Sequence, residues 1–150
     1  MKYLVILSVF ILFFSIISAY SQSDIDTNAN KLYDKGMSLF ESGKYEEAIQ
    51  WYDKALEIDP KFTIALFDKG IALSHLGKSQ DAIYWFDKAL ELEPNDANTL
   101  TNKGMALSHL GKHQEAIQLY DKVLELEPNN TNVLSLKKET ITDLRDNNKS

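Results

Sequence analysis

The chain has 150 residues, enough for one compact domain or a short repeat array and too few for an enzyme with separate cofactor and substrate domains. It holds no cysteine, which excludes disulfides, thiolate nucleophiles, cysteine-attached haem and every cysteine-ligated zinc or iron–sulfur centre. Sixteen Lys and Arg against twenty-two Asp and Glu give a net charge of -6, which disfavours a general phosphate-backbone binder.

The first element is a leader. Lys2 is followed by an apolar run from Tyr3 to Ile17, broken only by Ser8 and Ser15 and closed by Ser18, Ala19, Tyr20 and Ser21. A charged start, an apolar middle and a small, polar end make residues 1–21 a signal peptide, with Ala19 or Ser21 last before the cut. The run is only slightly short of the about 20 apolar residues that span a bilayer, so an uncleaved membrane anchor is the alternative. The expected location is therefore exported, extracytoplasmic or secreted, or membrane-anchored if the leader is kept; without a cysteine there, no lipid is attached through a thioether. Residues 22–28 read as a short tether.

The rest of the chain is periodic. Pro60, Pro94 and Pro128 stand 34 residues apart, as do Gly36, Gly70 and Gly104, and Gly43, Gly77 and Gly111. Every glycine and proline lies on this grid, which divides the chain into units 29–62, 63–96 and 97–130. The last two units share 21 of 34 residues.

Each unit reads as two helices. In the second, Leu66, Gly70, Leu73 and Leu76 form one helical stripe, and Ala82, Phe86 and Ala89, flanked by Ile83 and Leu90, form the next. Gly43, Gly77 and Gly111 supply the positive φ that ends a first helix. The three prolines end the second helix. Asn28, Asp96 and Asn130 stand where a side chain caps the following helix, and Phe62 leaves one cap missing. Gly36, Gly70 and Gly104 fall inside a first helix, where glycine costs roughly 0.8–1 kcal/mol against alanine. That cost implies close helix contact, with Ala48, Ala82 and Ala116 as the expected facing residues. Residues 131–145 form a capping helix whose Leu134, Ile141 and Leu144 cover the end of the stack, with Lys137, Lys138, Glu139, Asp143 and Arg145 in water. Residues 146–150 are a polar tail.

These landmarks resemble the tetratricopeptide-repeat family, a 34-residue helix–turn–helix. The match runs through Leu32, Gly36, Leu39, Ala48, Tyr52, Ala55 and Pro60, through Leu66, Gly70, Leu73, Ala82, Phe86, Ala89 and Pro94, and through Leu100, Gly104, Leu107, Ala116, Tyr120, Val123 and Pro128. Val123 replaces the usual small residue. The usual tryptophan near the start of a unit is leucine, and Trp51 and Trp85 lie on second helices instead. The resemblance implies an all-α fold, a right-handed α–α superhelix (solenoid) of three repeats plus the capping helix. First helices then line a concave face that binds a peptide or partner protein without catalysis.

On that face the resemblance places Asn30, Tyr33, Met37 and Phe40, then Ile64, Phe67, Ile71 and His75, then Asn98, Thr101, Met105 and His109, with Glu41, Ser74 and Ser108 beside them. Tyr33, Phe67 and Thr101 occupy a phase where the family's carboxylate clamp expects Lys, Arg or Asn, so an extended or helical apolar segment is the better ligand. The rival reading is a self-associating structural or accessory array of the cell envelope.

Other residues have ordinary readings. Tyr45, Trp51, Tyr52, Tyr84, Trp85, Phe86 and Tyr120 are packing and convex surface. His109 and His113 have a metal-ligand interval, but Gly111 breaks the helix between them and no further ligand joins them. The Asp53-Lys54, Asp87-Lys88 and Asp121-Lys122 pairs and the acidic pairs Glu57/Asp59, Glu91/Glu93 and Glu125/Glu127 read as solvated faces that repel anionic partners. No nucleophile elbow, phosphate loop or convergent His/Asp/Glu set is present, so neither an enzyme nor a cofactor is expected.

Overall fold

The computed structural model describes residues 27–147, so the expected leader, most of the tether and the last three residues of the tail lie outside the described residues. Among the described residues there are seven helices. They are α1 (27–41), α2 (Tyr45–Ile58), α3 (Thr63–His75), α4 (Ser79–Leu92), α5 (Ala97–His109), α6 (His113–Leu126) and α7 (Thr131–Asn147). None is long and apolar enough to cross a membrane.

The turns form where local rules demand. Gly43, Gly77 and Gly111 have φ of 75°, 71° and 75°. After each, one lysine N–H reaches back five residues: Lys44 to the Leu39 carbonyl, Lys78 to Leu73 and Lys112 to Leu107, each at 2.9 Å. This closes a first helix with a Schellman motif. The same lysine is the N-cap of the second helix, without a side-chain bond. One residue thus ends one helix and begins the next, which is why the connection is so short.

Capping of the first helices is uneven. Asp96 accepts from the Thr99 N–H at 2.7 Å and Asn130 from the Val133 N–H at 3.1 Å. Asn28 is already helical, so it stands inside α1; no proline precedes it to delay the helix start. Phe62 makes no side-chain cap and packs on Tyr33, with ring centroids 5.2 Å apart. A lost cap costs about 1 kcal/mol, and the half-buried Phe62 ring offsets part of it through its contact with Tyr33.

The interior glycines seat rings, and the alanines expected opposite them are not the nearest groups. A Cβ on Gly36 would stand 2.6 Å from the Tyr52 ring, one on Gly70 2.5 Å from Phe86, and one on Gly104 2.5 Å from Tyr120. The ring lies in the glycine notch because only a bare backbone lets it approach so closely. Ala48, Ala82 and Ala116 are fully buried nearby.

From α2 onward each helix packs on its neighbour in sequence, α3 also touches α5 and α5 touches α7, and α1 meets α2 where Gly36 faces the Tyr52 ring. No two second helices come as close. The core forms two clusters, around Tyr52 and Leu66 and around Phe86, Leu107 and Tyr120, joined through Ile49 and Trp85. No wide layer is needed, because each unit buries its apolar stripe against the next.

Charges also bridge the units, contrary to the reading of the Asp-Lys pairs as purely solvated. Lys69 pairs with Asp53, Lys103 with Asp87 and Lys137 with Asp121. The repeat forces this ladder: the two helices that carry each pair lie side by side only once the units are stacked.

The capping helix docks by another face than expected. Val133 and Thr140 are buried and Leu136 packs on the core, whereas Leu134 is 47% exposed. Leu134 and Lys138 repeat the phase of Leu100 and Gly104, which face the second helix of their own unit, and both are exposed here, whereas Ile141 and Leu144 are half-buried as part of the expected cover. Helicity continues through Asn147, beyond the expected end at 145.

Candidate functional site

The first helices present an open face, and the twelve residues expected on it have different fates. Tyr33 and Thr101 leave the accessible surface. Tyr33 is buried, stacks on Tyr52 and donates its hydroxyl to the Asp68 Oδ2 at 2.6 Å. Thr101 is buried and donates to the Ala97 carbonyl at 2.7 Å. Tyr33 is drawn in by its contacts with Tyr52 on α2 and Asp68 on α3.

Met37 and Phe40 are half-buried against the first core cluster. Phe40 meets His75 edge-on at 5.5 Å, and His75 lies flat on Tyr45 at 4.6 Å and 8°. This aromatic stack ties the first unit to the second, so Tyr45 serves inter-unit packing as expected, while His75 keeps one exposed side. Ile71 and Phe67 are half-buried against the second cluster, and Ile64 is 48% exposed.

Two clefts gather the rest. One, of about 310 Å³, has a floor of Ile64, Phe67 and Thr63, closed by Asn98 and Thr99. Its rim is Asp68, Glu93 and Asp96. Burial raises the Asp68 carboxyl above its ordinary range, and the Tyr33 hydroxyl pulls it back down in part. Burial likewise raises the Tyr33 phenol, with the Asp68 carboxylate adding to the shift.

The second cleft, of about 280 Å³, lies between α5 and α7 and holds Met105, Ser108 and His109 against Leu136, Glu139 and Asp143. Asn30 borders a smaller hollow with Ala29, Asp59 and Phe62, the first-unit counterpart of the larger cleft.

Three rim residues were missed as binding candidates. Asp68 was not singled out, Glu93 was read as solvated face and Asp96 as a cap. The signal available was positional: Glu93 and Asp96 lie in the turn leading to α5, and such a turn overhangs the start of the first helix of its own unit.

The His109/His113 pair makes no metal site. His113 is buried, its Nδ1 3.4 Å from the Ser108 Oγ and its Nε2 3.1 Å from the Asn147 Nδ2. Ser108 in turn lies 3.3 Å from the Thr140 hydroxyl, so this imidazole fastens α7 to α5 and α6. Among the described residues no three His, Asp or Glu side chains converge to hold a metal.

Comparison with known proteins follows the same outline. The family model described as "Psidin, N-terminal TPR repeats region" matches residues 28–137. The first TPR domain of human RPAP3, an NMR structure, is 31% identical with a TM-score of 0.76, over 81% of this chain and 96% of that one. The first TPR of Spaghetti (RPAP3) bound to the HSP90 peptide SRMEEVD is 32% identical with a TM-score of 0.75, over 78% and 93%. The second TPR domain of human RPAP3, in complex with the HSP70 peptide SGPTIEEVD, is 27% identical with a TM-score of 0.74, over 77% and 97%. None of the curated proteins matches the chain.

Proposed function

Because the chain belongs to the tetratricopeptide-repeat family, we propose that it is a non-catalytic protein-interaction module that binds a peptide or partner segment across the face of α1, α3 and α5. The observation that carries this reading is the apolar surface on α3 and α5, where Ile64 and Met105 are exposed and Phe67 and Ile71 are half-buried. A similar repeat domain is bound to an HSP90 peptide. An extended or helical segment lays side chains along such a row.

Partner capture from native extracts by the protein and its variants tests this. Ile64→Asn changes an exposed side chain and Phe67→Asn a half-buried one; both are expected to lose the captured partner while circular dichroism stays helical. Capture that survives both changes would sink the reading.

For the leader, we propose export with cleavage after Ala19 or Ser21, supported by the charge at Lys2, the apolar run and its small, polar end. The mass and N-terminus of the native protein decide between this and a retained anchor. The rival reading, end-to-end stacking, meets an obstacle in Lys138. It stands where the other units carry the glycine that seats an aromatic ring, so a further second helix has no notch to enter.

A further inference from the structure

We infer that the cleft of the second unit selects a peptide carrying lysine or arginine beside an aliphatic side chain, and disfavours acidic peptides. This rests on the binding face proposed above and names the chemistry of its ligand.

The cleft joins two kinds of surface. Ile64 and Phe67 give an apolar floor, and Asp68, Glu93 and Asp96 give three carboxylates with no Lys, Arg or His among the lining residues. Two of these acids are already engaged. Asp96 caps α5, where the positive helix end offsets its charge, and Asp68 accepts from Tyr33. Glu93 is exposed, and among the described residues nothing pairs with its side chain. Lys122 donates to the neighbouring Pro94 carbonyl at 2.7 Å and does not line the cleft. A cation entering here meets uncompensated negative charge, and a carboxylate meets repulsion in a partly desolvated place.

A lysine or arginine suits both surfaces at once, since its stem covers apolar carbon while its head reaches charge or an aromatic face. The protein already uses this arrangement internally: Lys69 lies 3.5 Å above the Trp85 ring and ends on Asp53.

The site is particular to the second unit. In the first, Phe62 packs on Tyr33 at the corresponding place. In the third, Thr101, Asn102 and Asn130 replace Phe67, Asp68 and Asp96, which removes the ring and two of the charges. Selectivity for a cation is therefore concentrated at one point of the face.

The probe is three pools of end-capped nonapeptides, randomised except for a central Leu followed two residues later by Lys, Gln or Glu, with binding to the purified full chain read by fluorescence anisotropy. The Lys pool is expected to bind at least about tenfold more tightly than the Glu pool. Glu93→Gln and Asp68→Asn should each narrow that ratio several-fold without changing the helical spectrum. A Glu pool that binds as well as the Lys pool, yet is lost in Phe67→Asn, overturns the charge inference and leaves the binding face standing. A Lys preference undiminished in both acid variants overturns the assignment to this cleft. Binding by no pool, or binding indifferent to Ile64→Asn and Phe67→Asn, overturns the face itself.

Discussion

The Lys69 ammonium reaches back sixteen residues to the Asp53 carboxylate and crosses the face of Trp85 on the way. The same step recurs at Lys103–Asp87 and Lys137–Asp121, where the lysine side chains are 21% and 29% exposed against 9% for Lys69. Exposure sets the value of an ion pair, because water screens it and removing a partner strands a charge only where water is scarce.

Removal of the acid is therefore expected to hurt in the order Asp53→Asn, Asp87→Asn, Asp121→Asn. The first should cost about 1–2 kcal/mol, between the surface and buried limits, and the last about 0–1 kcal/mol. Thermal melts of the three variants check this, and equal losses would show that exposure does not control the ladder.

Gly70→Ala should destabilise despite the roughly 1 kcal/mol that alanine gains in helix propensity. Its Cβ would stand 2.5 Å from the Phe86 ring, and overpacking of this kind costs about 1–3 kcal/mol. Gly77→Ala meets nothing within 4 Å but must hold a φ of 71°, a strain of about 1–2 kcal/mol. Adding Phe86→Leu should relieve the first variant and not the second in urea melts, a coupling that separates crowding from backbone strain.

Tyr52 and Tyr120 occupy the same place in their units with different hydroxyl environments. The Tyr52 hydroxyl is buried without a hydrogen-bond partner, whereas the polar Thr140 side chain beside Tyr120 pulls that phenol back down in part. Tyr52→Phe, which copies Phe86, is expected to leave stability unchanged or raise it by up to about 1 kcal/mol. Tyr120→Phe should lose about 1 kcal/mol. A Tyr52→Phe variant that melts clearly earlier would mean the hydroxyl has a partner in solution.

Alkaline pH should unfold the protein from about pH 10 upward. Burial is the first cause that raises the Tyr33, Tyr52 and Tyr120 phenols above their ordinary 10.0. The folded state then keeps protons that the unfolded state releases, so stability is fully present below the unfolded value and falls as pH rises past it. Tyrosinate absorbance should show part of the ionisation rising together with the loss of helical circular dichroism. Complete ionisation with the helix signal intact would contradict the burial of these rings.

Legibility in the sequence followed the range of the interaction. Gly43, Gly77 and Gly111 announce their turns because a positive φ is a property of one residue, and Asp96 announces its cap because its partner lies three residues away. Lys137 shows the contrary case. Its charge reads as solvent-facing on its own helix, and only the docked α6 supplies Asp121. Leu134 was expected on the covered side for a similar reason: it suits an amphipathic helix, and only the docked stack shows that Val133 is covered and Leu134 is not.

The face proposed for binding was legible as a set of phases and not as a surface. Phe67 is half-buried, yet Tyr33 and Thr101 share its phase and are buried. Tyr33 is drawn inward by Phe62, Tyr52 and Asp68, contacts up to 35 residues away in the chain.

By itself, the sequence determined the period, the glycines that turn the chain, the family and the absence of cysteine chemistry. These rest on backbone geometry and on side-chain spacing within one helix pair. Tertiary structure alone decided the Lys–Asp ladder, the aromatic rings in the glycine notches, the face by which α7 docks and the acid-rimmed cleft at the second unit. Each of those depends on which side chains of separate helices meet once the stack is closed, and units built on one pattern meet different neighbours at the two ends.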